Sequence, residues 1–268
     1  MPRADTSESH RRQWLLVLGL CVAATTAFAE TSTLPVSDGA ELVERARRAM
    51  PSESFGAEFR IDVTTPSWSS RKVGQIFKRK SASGQDTLIV FQRPPAAEGV
   101  KVLMQRPLDG RAMQWLVLPN GRPRRLSTSR SGEALLGTEF TSDDLEMPSA
   151  LSRAVVTRQE RNGGALVSVV AMTVEDADTS HEEVAWIRVD DAVVLRREIY
   201  LGSELARVFR VDRMEDVEGV STPVAMTITN VATQAVSKVS LRHVSYASAF
   251  APSMFTLAQL TGQRASLP

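Results

Sequence analysis

The feature that most constrains the fold is a two-residue hydrophobic period that begins at Phe55 and recurs almost to the C-terminus. In residues 58–63, charged side chains alternate with Phe59, Ile61 and Val63. Because successive side chains of a strand point to opposite faces, this pattern predicts a strand with one apolar face and one wet face. Similar runs cover 73–80, 87–92, 100–106, 112–118, 154–161, 166–174, 183–189, 193–201, 205–212, 224–231 and 239–246.

Short turn signals separate these runs. Asp109-Gly110, Asn120-Gly121 and Asn162-Gly163-Gly164 are typical of hairpin connections. About a dozen strands joined in this way predict a meander, and therefore one large antiparallel sheet. A sheet of that size twists and curls. The predicted fold class is mainly β, a single curled antiparallel sheet (an incomplete β-barrel) with a few short helices covering its concave face.

The concave face is expected to collect the apolar side chains and to form a ligand-binding cavity. A change of register by one residue would replace a strand's inward residues with its outward ones. The predicted lining is Phe59, Ile61, Phe77, Met104, Trp115, Val117, Phe209 and Met226.

Three stretches are available as helices that cover this face. The first begins at Asp38, where Asp38 and Glu41 form a capping box, and ends at Pro51. The second lies around 142–151. The third, 252–260, concentrates four apolar side chains and is predicted to lie across the opening.

The N-terminus reads as a cleavable signal peptide. Arg3, Arg11 and Arg12 precede an apolar run over 14–24, and Ala27-Phe28-Ala29 matches a cleavage site. The run is shorter than the ~20 residues of a membrane-spanning helix. A lipoprotein signal ending at Cys21 is the other alternative, and Leu20 before the cysteine disfavours it. The predicted domains are therefore a signal peptide, 1–29, and one half-barrel domain, 30–268, secreted to the periplasm.

Charge and cysteine content restrict the function. The chain has 32 basic and 31 acidic side chains, and the signal peptide removes three of one sign and two of the other. The mature chain therefore has about equal numbers of basic and acidic side chains, without the excess of positive charge that a nucleic-acid-binding protein needs. Cleavage also removes Cys21, the only cysteine, which excludes disulfides and cysteine-based sites.

Motifs for catalysis are weak, so the prediction is that the protein is not an enzyme and needs no cofactor or metal. His181-Glu182-Glu183 lacks the second histidine of a zinc-binding helix. Ser69 and Lys72 match S-x-x-K by spacing, without the partner motifs of that enzyme class. His243 lies within a predicted strand, and Asp190-Asp191 lies between two strands, where a turn explains it.

The middle of the chain carries a resemblance to a known family. It reads Phe91-Gln-Arg-Pro94 up to Gly99, then Trp115-Leu-Val-Leu-Pro119, a basic turn ending at Arg125-Leu126, and Gly137-Thr-Glu-Phe140 before Asp144-Leu145. This order resembles the outer-membrane lipoprotein-sorting family of LolA-like periplasmic carriers, in the branch associated with transporters of the resistance-nodulation-division type. The motifs cover 91–145. Leu118, where an aromatic is common, and the arginine-rich strands depart from the family pattern.

The resemblance implies a carrier or chaperone that holds lipid or lipoprotein acyl chains and passes them to or from a membrane partner, with that transporter type as one candidate. The alternative is an accessory or sensor subunit of a membrane complex. A monomer is expected. The basic loop that contains Arg122 and Arg130 has two interpretations. It is either a solvated hairpin tip or a loop that binds phosphate head groups or an acidic partner surface. Asp143 and Asp144 are predicted to cap a helix or to pair with the arginines. The residues predicted for the mouth or partner site are Arg124, Arg125, Phe140 and Asp144.

Overall fold

The structure is a computed structural model. It describes residues 38–49, 54–108, 113–119, 121–126, 137–141, 144, 147–148, 150–176, 179–246 and 249–262. The predicted signal peptide with Cys21, and Arg130 and Asp143 of the central loop, lie outside the described residues. Among the described residues, no helix has the length and apolar character that crossing a membrane requires.

The described residues form thirteen strands and two short α-helices. Helix α1 is Gly39–Ala49 and α2 is Leu257–Leu260, preceded by a 3-10 turn over Pro252–Phe255. The strands are β1 Phe55–Thr64, β2 Ser69–Ser81, β3 Gly84–Arg93, β4 Lys101–Pro107, β5 Met113–Val117, β6 Arg124–Leu126, β7 Leu151–Asn162, β8 Ala165–Asp176, β9 Thr179–Arg188, β10 Val194–Leu201, β11 Glu204–Val217, β12 Val220–Asn230 and β13 Ala235–Ser245.

All thirteen strands belong to one antiparallel sheet. Their spatial order is β6-β5-β4-β3-β2-β1-β13-β12-β11-β10-β9-β8-β7, so β1 pairs with β13 and the first and last halves of the meander join at the centre. Strands β6 and β7 are the two edges, and residues 127–150 connect them. The predicted fold class is confirmed, because the described residues form one antiparallel sheet with few helices.

The register defines two faces. We call the face that carries Phe59 the inner face and the opposite one the outer face. Phe59 is paired with Gly74 on β2 and with Leu241 on β13, and Phe209 is paired with Ile228. A continuous inner cluster results: Ala57, Phe59, Ile61, Val63, Ile76, Ile89, Phe91, Val100, Val102, Phe140, Phe209, Ile228 and Val239.

Helix α1 begins where the sequence predicts. The backbone N–H of Ala40 donates to Asp38 Oδ1 at 3.0 Å and satisfies one of the free amides of the first turn. A Cβ on Gly39 would lie 2.6 Å from the carbonyl oxygen of Ala154, so glycine permits the helix to approach β7. Leu42, Val43 and Ala46 are buried in a second inner-face cluster with Met147, Val170, Met172, Ala185, Ile187 and Ala192.

The segment that links β6 to β7, 127–150, lies over the inner face where it is described. Phe140 packs into the cluster around Phe59, and Met147 packs into the cluster under α1. Because the connected strands are the two edges of the sheet, this crossing segment must pass from one edge to the other. The predicted helix over 142–151 falls mostly outside the described residues, and Leu151 is in β7 rather than in a helix.

The C-terminal segment packs on the outer face. Phe255 and Leu260 are buried with Leu88, Leu103 and Val117, in a cluster that also includes Phe77 and Trp115. The Lys101 ammonium donates to the carbonyl of Leu260 at 3.0 Å. The sequence-based placement of this segment across the opening is therefore wrong, because β3–β5 present apolar residues on both faces and the segment covers the outer one.

Candidate functional site

The inner face is a broad apolar surface centred on β1, β2 and β3. The rings of Phe59 and Phe91 meet edge to face with centroids 5.4 Å apart. A Cβ on Gly74 would lie 2.7 Å from the Phe59 ring, so the ring lies directly against the β2 backbone. The partly buried Met104, Leu116 and Met226 extend this surface towards its borders. Such a surface offers contact area to an acyl chain.

The predicted lining residues divide between the two faces. The structure places Phe59, Ile61, Met104, Phe209 and Met226 on the inner face. It places Phe77, Trp115 and Val117 on the outer face, against the C-terminal segment. The physical reason is the register: Leu103 pairs with both Leu88 and Trp115, and Leu88 pairs with Phe77, so these side chains share one face. We therefore assign the inner-face role on β5 to Leu116.

A buried ion pair interrupts the apolar inner face between its two clusters. Arg197 Nη2 lies 3.0 Å from Oε1 and 2.8 Å from Oε2 of Glu183, and both residues are at most 4 % exposed. His181 Nε2 lies 3.0 Å from Glu183 Oε1. Burial alone would raise the pKa of Glu183, yet the Arg197 charge and the hydrogen bonds from His181 and Arg197 hold it below its ordinary value of 4.5.

The lowered pKa of Glu183 predicts an acid-dependent stability. A depressed carboxyl stabilises the fold fully above its unfolded pKa, about 4.5, and this contribution is lost as the pH falls through the lower, folded value. We expect the difference in urea midpoint between wild type and Glu183→Gln to be constant at neutral pH and to shrink below about pH 4.5. A difference that grows on acidification would contradict the assignment.

A second ionic contact holds the crossing segment to the sheet. Arg207 on β11 donates from Nη2 to the carbonyl oxygen of Glu139 at 2.6 Å and to Asp144 Oδ2 at 2.9 Å. The same carboxylate oxygen accepts the Thr141 backbone N–H at 2.7 Å and its hydroxyl at 3.0 Å. Asp144 thus reaches back to the start of its turn as an N3 residue does, and also meets an arginine. That arginine belongs to β11 and not to the basic loop.

Contacts of the backbone and side chain of Glu139 complete this attachment. Its backbone N–H donates to Ser237 Oγ at 2.8 Å, and its Oε2 accepts from Asn230 Nδ2 at 3.1 Å. These anchors place Phe140 over the ends of β11–β13. The crossing segment is therefore fixed by charged and polar groups at its border and by one aromatic side chain in the middle.

The other predicted mouth residues lie apart from this attachment. Arg124 and Arg125 are exposed on β6, where they pair with Leu116 and Trp115 respectively. They therefore point to opposite faces of an edge strand. The basic turn predicted from the sequence, 122–126, ends with this strand, and residues 127–131 lie outside the described residues.

Four of the six exposed large apolar side chains among the described residues lie at one end of the sheet, whereas Leu108, the most exposed at 75 %, lies at the other end. We call the end with the four side chains, where β1 finishes and β2 starts, the Trp68 end. The hairpins there also carry Leu118, Leu201 and Val231, and the four side chains are between 41 % and 65 % exposed. The segment of Glu139 and Phe140 docks at the same end, because Asn230 finishes β12 there.

Other polar features lie apart from the apolar cluster around Phe59. A cleft of about 690 Å³ on the outer face is lined mainly by charged and hydroxyl groups, among them Asp62, Arg71 and Lys238. Ser69 and Lys72 point to opposite faces of β2, which separates the two residues of the S-x-x-K match. Within the described ranges, no group of three or more His, Cys, Asp or Glu side chains is arranged to hold a metal ion.

Sequence reasoning missed the charged side chains of the inner face, among them Lys72, Lys78, Glu183, Arg197 and Arg207. The signal was present, because each occupies an inward position of an alternating strand. A charged side chain at an inward position suggests that the two faces of the strand have been assigned the wrong way round, and only the pairing partners show that they have not.

The fold is shared with solved structures, among them the following three. A DUF1329 family protein from Desulfovibrio piger superposes with a TM-score of 0.75 at 19% identity, covering 83% of this chain and 97% of that one. An outer membrane lipoprotein-sorting protein domain from Vibrio parahaemolyticus superposes with a TM-score of 0.75 at 19% sequence identity, and the match covers 83% of this chain and 98% of that one. A LolA superfamily protein from Nitrosomonas europaea superposes with a TM-score of 0.64 at 17% sequence identity, and the match covers 82% of this chain and 98% of that one. No curated protein sequence matches the chain.

A family model described as an uncharacterized protein matches residues 83–262, about two thirds of the chain. The chain belongs to this family. Its fold is shared with the lipoprotein-sorting protein domain and the LolA superfamily protein, as the resemblance in residues 91–145 implies. The matched range begins at the β2–β3 hairpin and includes the crossing segment and the C-terminal segment.

Proposed function

We propose that the protein is a periplasmic carrier that binds lipid or lipoprotein acyl chains on its inner face and exchanges them with a membrane partner. The observation that carries the proposal is the apolar inner surface around Phe59, where Phe140 of the crossing segment packs and the charged attachments of that segment lie at the border. Helix α1 covers the second inner cluster. The predicted signal peptide supports the compartment. The chain performs no chemistry in this role and needs no cofactor.

The energetics suit reversible binding. Burial of one methylene is worth about 0.8 kcal/mol, and micromolar affinity corresponds to about 8 kcal/mol. About ten buried methylenes reach this value before any cost is subtracted, so a longer acyl chain is needed to offset the displacement of Phe140 and the ordering of the ligand. The flexible Met104 and Met226 side chains adapt to tails of different shape.

The Trp68 end is the place where we expect the partner to dock. Four exposed apolar side chains on its hairpins surround the attachment of the crossing segment. Contact with a membrane or a transporter there would shield them while cargo moves past Phe140. A transporter of the resistance-nodulation-division type is one candidate partner, and we expect the carrier itself to be a monomer.

A matched pair of variants on β5 tests the binding surface. Leu116 is partly buried against the inner cluster, and its neighbour Trp115 is partly buried against the outer one. We expect Leu116→Asp to reduce the affinity for a fluorescent fatty-acyl probe at least tenfold, because a carboxylate would sit in the apolar site. Trp115→Asp is the control and should retain binding. Loss of binding in Trp115→Asp alone would place the site on the outer face.

Transfer of bound lipid separates this function from its alternative, an accessory or sensor subunit. We expect protein purified from the periplasm to contain stoichiometric acyl lipid and to deliver it to acceptor vesicles, with release measured by mass spectrometry. Tight binding to a membrane protein partner without bound lipid would favour the accessory role.

A further inference from the structure

Strand β2 places an unusual cation on the apolar inner face. Lys72 pairs with Ile61, and its position on β2 puts it on the same face as Gly74 and Ile76. The residue is only 8 % exposed. Its ammonium donates to Ser70 Oγ at 3.1 Å, and no described carboxylate forms an ion pair with it. The nearby Asp62 is on the outer face, where it pairs with Arg60 and Arg71.

Such a group is costly in the absence of a counter-ion. Burial of an ammonium away from water destabilises its charged form, and burial lowers the pKa of Lys72 below 10.5. An aliphatic residue of the same length would cover the same apolar surface without this cost. A single hydroxyl is a weak partner for a buried charge. Packing of the fold therefore does not require the positive charge of Lys72.

A second lysine lies on the same face of the same strand. Lys78 is six residues further on, about 20 Å along an extended strand. It is 9 % exposed, and burial together with Arg106 and Lys80 lowers its pKa to about 8. The apolar belt of Phe59, Gly74 and Phe91 lies between the two lysines. The inner face of β2 thus alternates an apolar contact zone with buried positive charge.

We propose that the cargo is an anionic amphiphile, and that the Lys72 ammonium, with the Ser70 hydroxyl, binds its phosphate or carboxylate while the acyl chain lies on the belt around Phe59. This inference rests on the proposed function and specifies its substrate class. An anion near Lys72 replaces the missing counter-ion, so binding should raise the pKa of this lysine back towards that of a solvated one. A neutral acyl ligand gains no such interaction.

The test measures displacement of an uncharged fluorescent acyl probe by hexadecyl phosphate, palmitate and the neutral monopalmitoylglycerol. For wild type we expect the two anions to bind at least tenfold more tightly than the neutral lipid. Lys72→Met should remove this preference and leave the neutral affinity unchanged, and Lys72→Arg should restore it in part. Lys238→Met, an exposed lysine on the outer face, is the matched control and should behave as wild type.

Each other outcome has a distinct meaning. Equal binding of anionic and neutral lipids by wild type, or an equal loss of both in Lys72→Met, would overturn the anionic assignment and leave the carrier function standing. Failure of wild type to bind any of the three amphiphiles would overturn the carrier function itself. Inorganic phosphate is included alone, and we expect it not to displace hexadecyl phosphate at millimolar concentration. Displacement would identify a site for free anions instead.

Discussion

Arg197→Met is expected to lower the free energy of unfolding by about 3–5 kcal/mol, because removal of one partner leaves the other charge buried and uncompensated. Glu183 is 3 % exposed and receives hydrogen bonds from both Arg197 nitrogens that face it. For a chain of this size, a change of that magnitude lowers the melting temperature by roughly 10 °C. Thermal unfolding followed by circular dichroism measures the effect.

The double variant Arg197→Met, Glu183→Leu is the control for this prediction. Without either charge, the site becomes a continuation of the apolar clusters on both sides, so we expect most of the lost stability to return. His181 then loses its carboxylate partner and stays near the border of the cluster. Additive destabilisation in the double variant would show that the two side chains act independently, against the geometry described above.

Phe140→Ala is expected to decrease stability by about 3–5 kcal/mol and, at the same time, to increase the affinity for acyl ligands. Phe140 is 6 % exposed and packs into the inner cluster, at the place where we expect an acyl chain to lie. A ligand that must displace this ring pays for its exposure, and the alanine variant removes that cost. We expect the dissociation constant for a fatty-acyl probe to fall several-fold in fluorescence titrations.

The attachment of the crossing segment provides the comparison for Phe140→Ala. Arg207→Leu removes the contacts with Glu139 and Asp144 but keeps the ring, so we expect faster probe entry with a smaller gain in affinity. Stopped-flow mixing measures the rate. Weaker binding of the probe by Phe140→Ala than by wild type would contradict this prediction. It would show that the ring contacts the bound acyl chain and is not displaced by it.

The two-residue hydrophobic period predicted the strands well because it depends only on residues that are neighbours in the sequence. In strands such as β1 and β2 the environment alternates from one residue to the next, and turn residues mark the hairpins. The meander could therefore be inferred before any pairing was known. The short strand β6 was missed because Arg124 and Arg125 carry no apolar alternation and resemble a basic turn. Its existence depends on pairing with β5.

The site was less accessible to sequence reasoning because faces are a long-range property. In β3–β5 both sets of alternate residues are apolar, since the C-terminal segment covers the outer face. Periodicity alone therefore gave no reason to choose Leu116 over Trp115. Arg207 and Asp144 are 63 residues apart in the chain, and their contact depends on the path of the crossing segment.

Photolabelling of the bound ligand tests the central claim most directly. A palmitate analogue with a diazirine at the middle of its chain would be bound, irradiated and mapped by peptide mass spectrometry. The account predicts saturable labelling of inner-face residues such as Met104, Met226 and Phe140, and protection by unlabelled palmitate. Labelling confined to Trp115, Phe77 and the C-terminal segment, or labelling that does not saturate, would contradict an acyl-binding inner face.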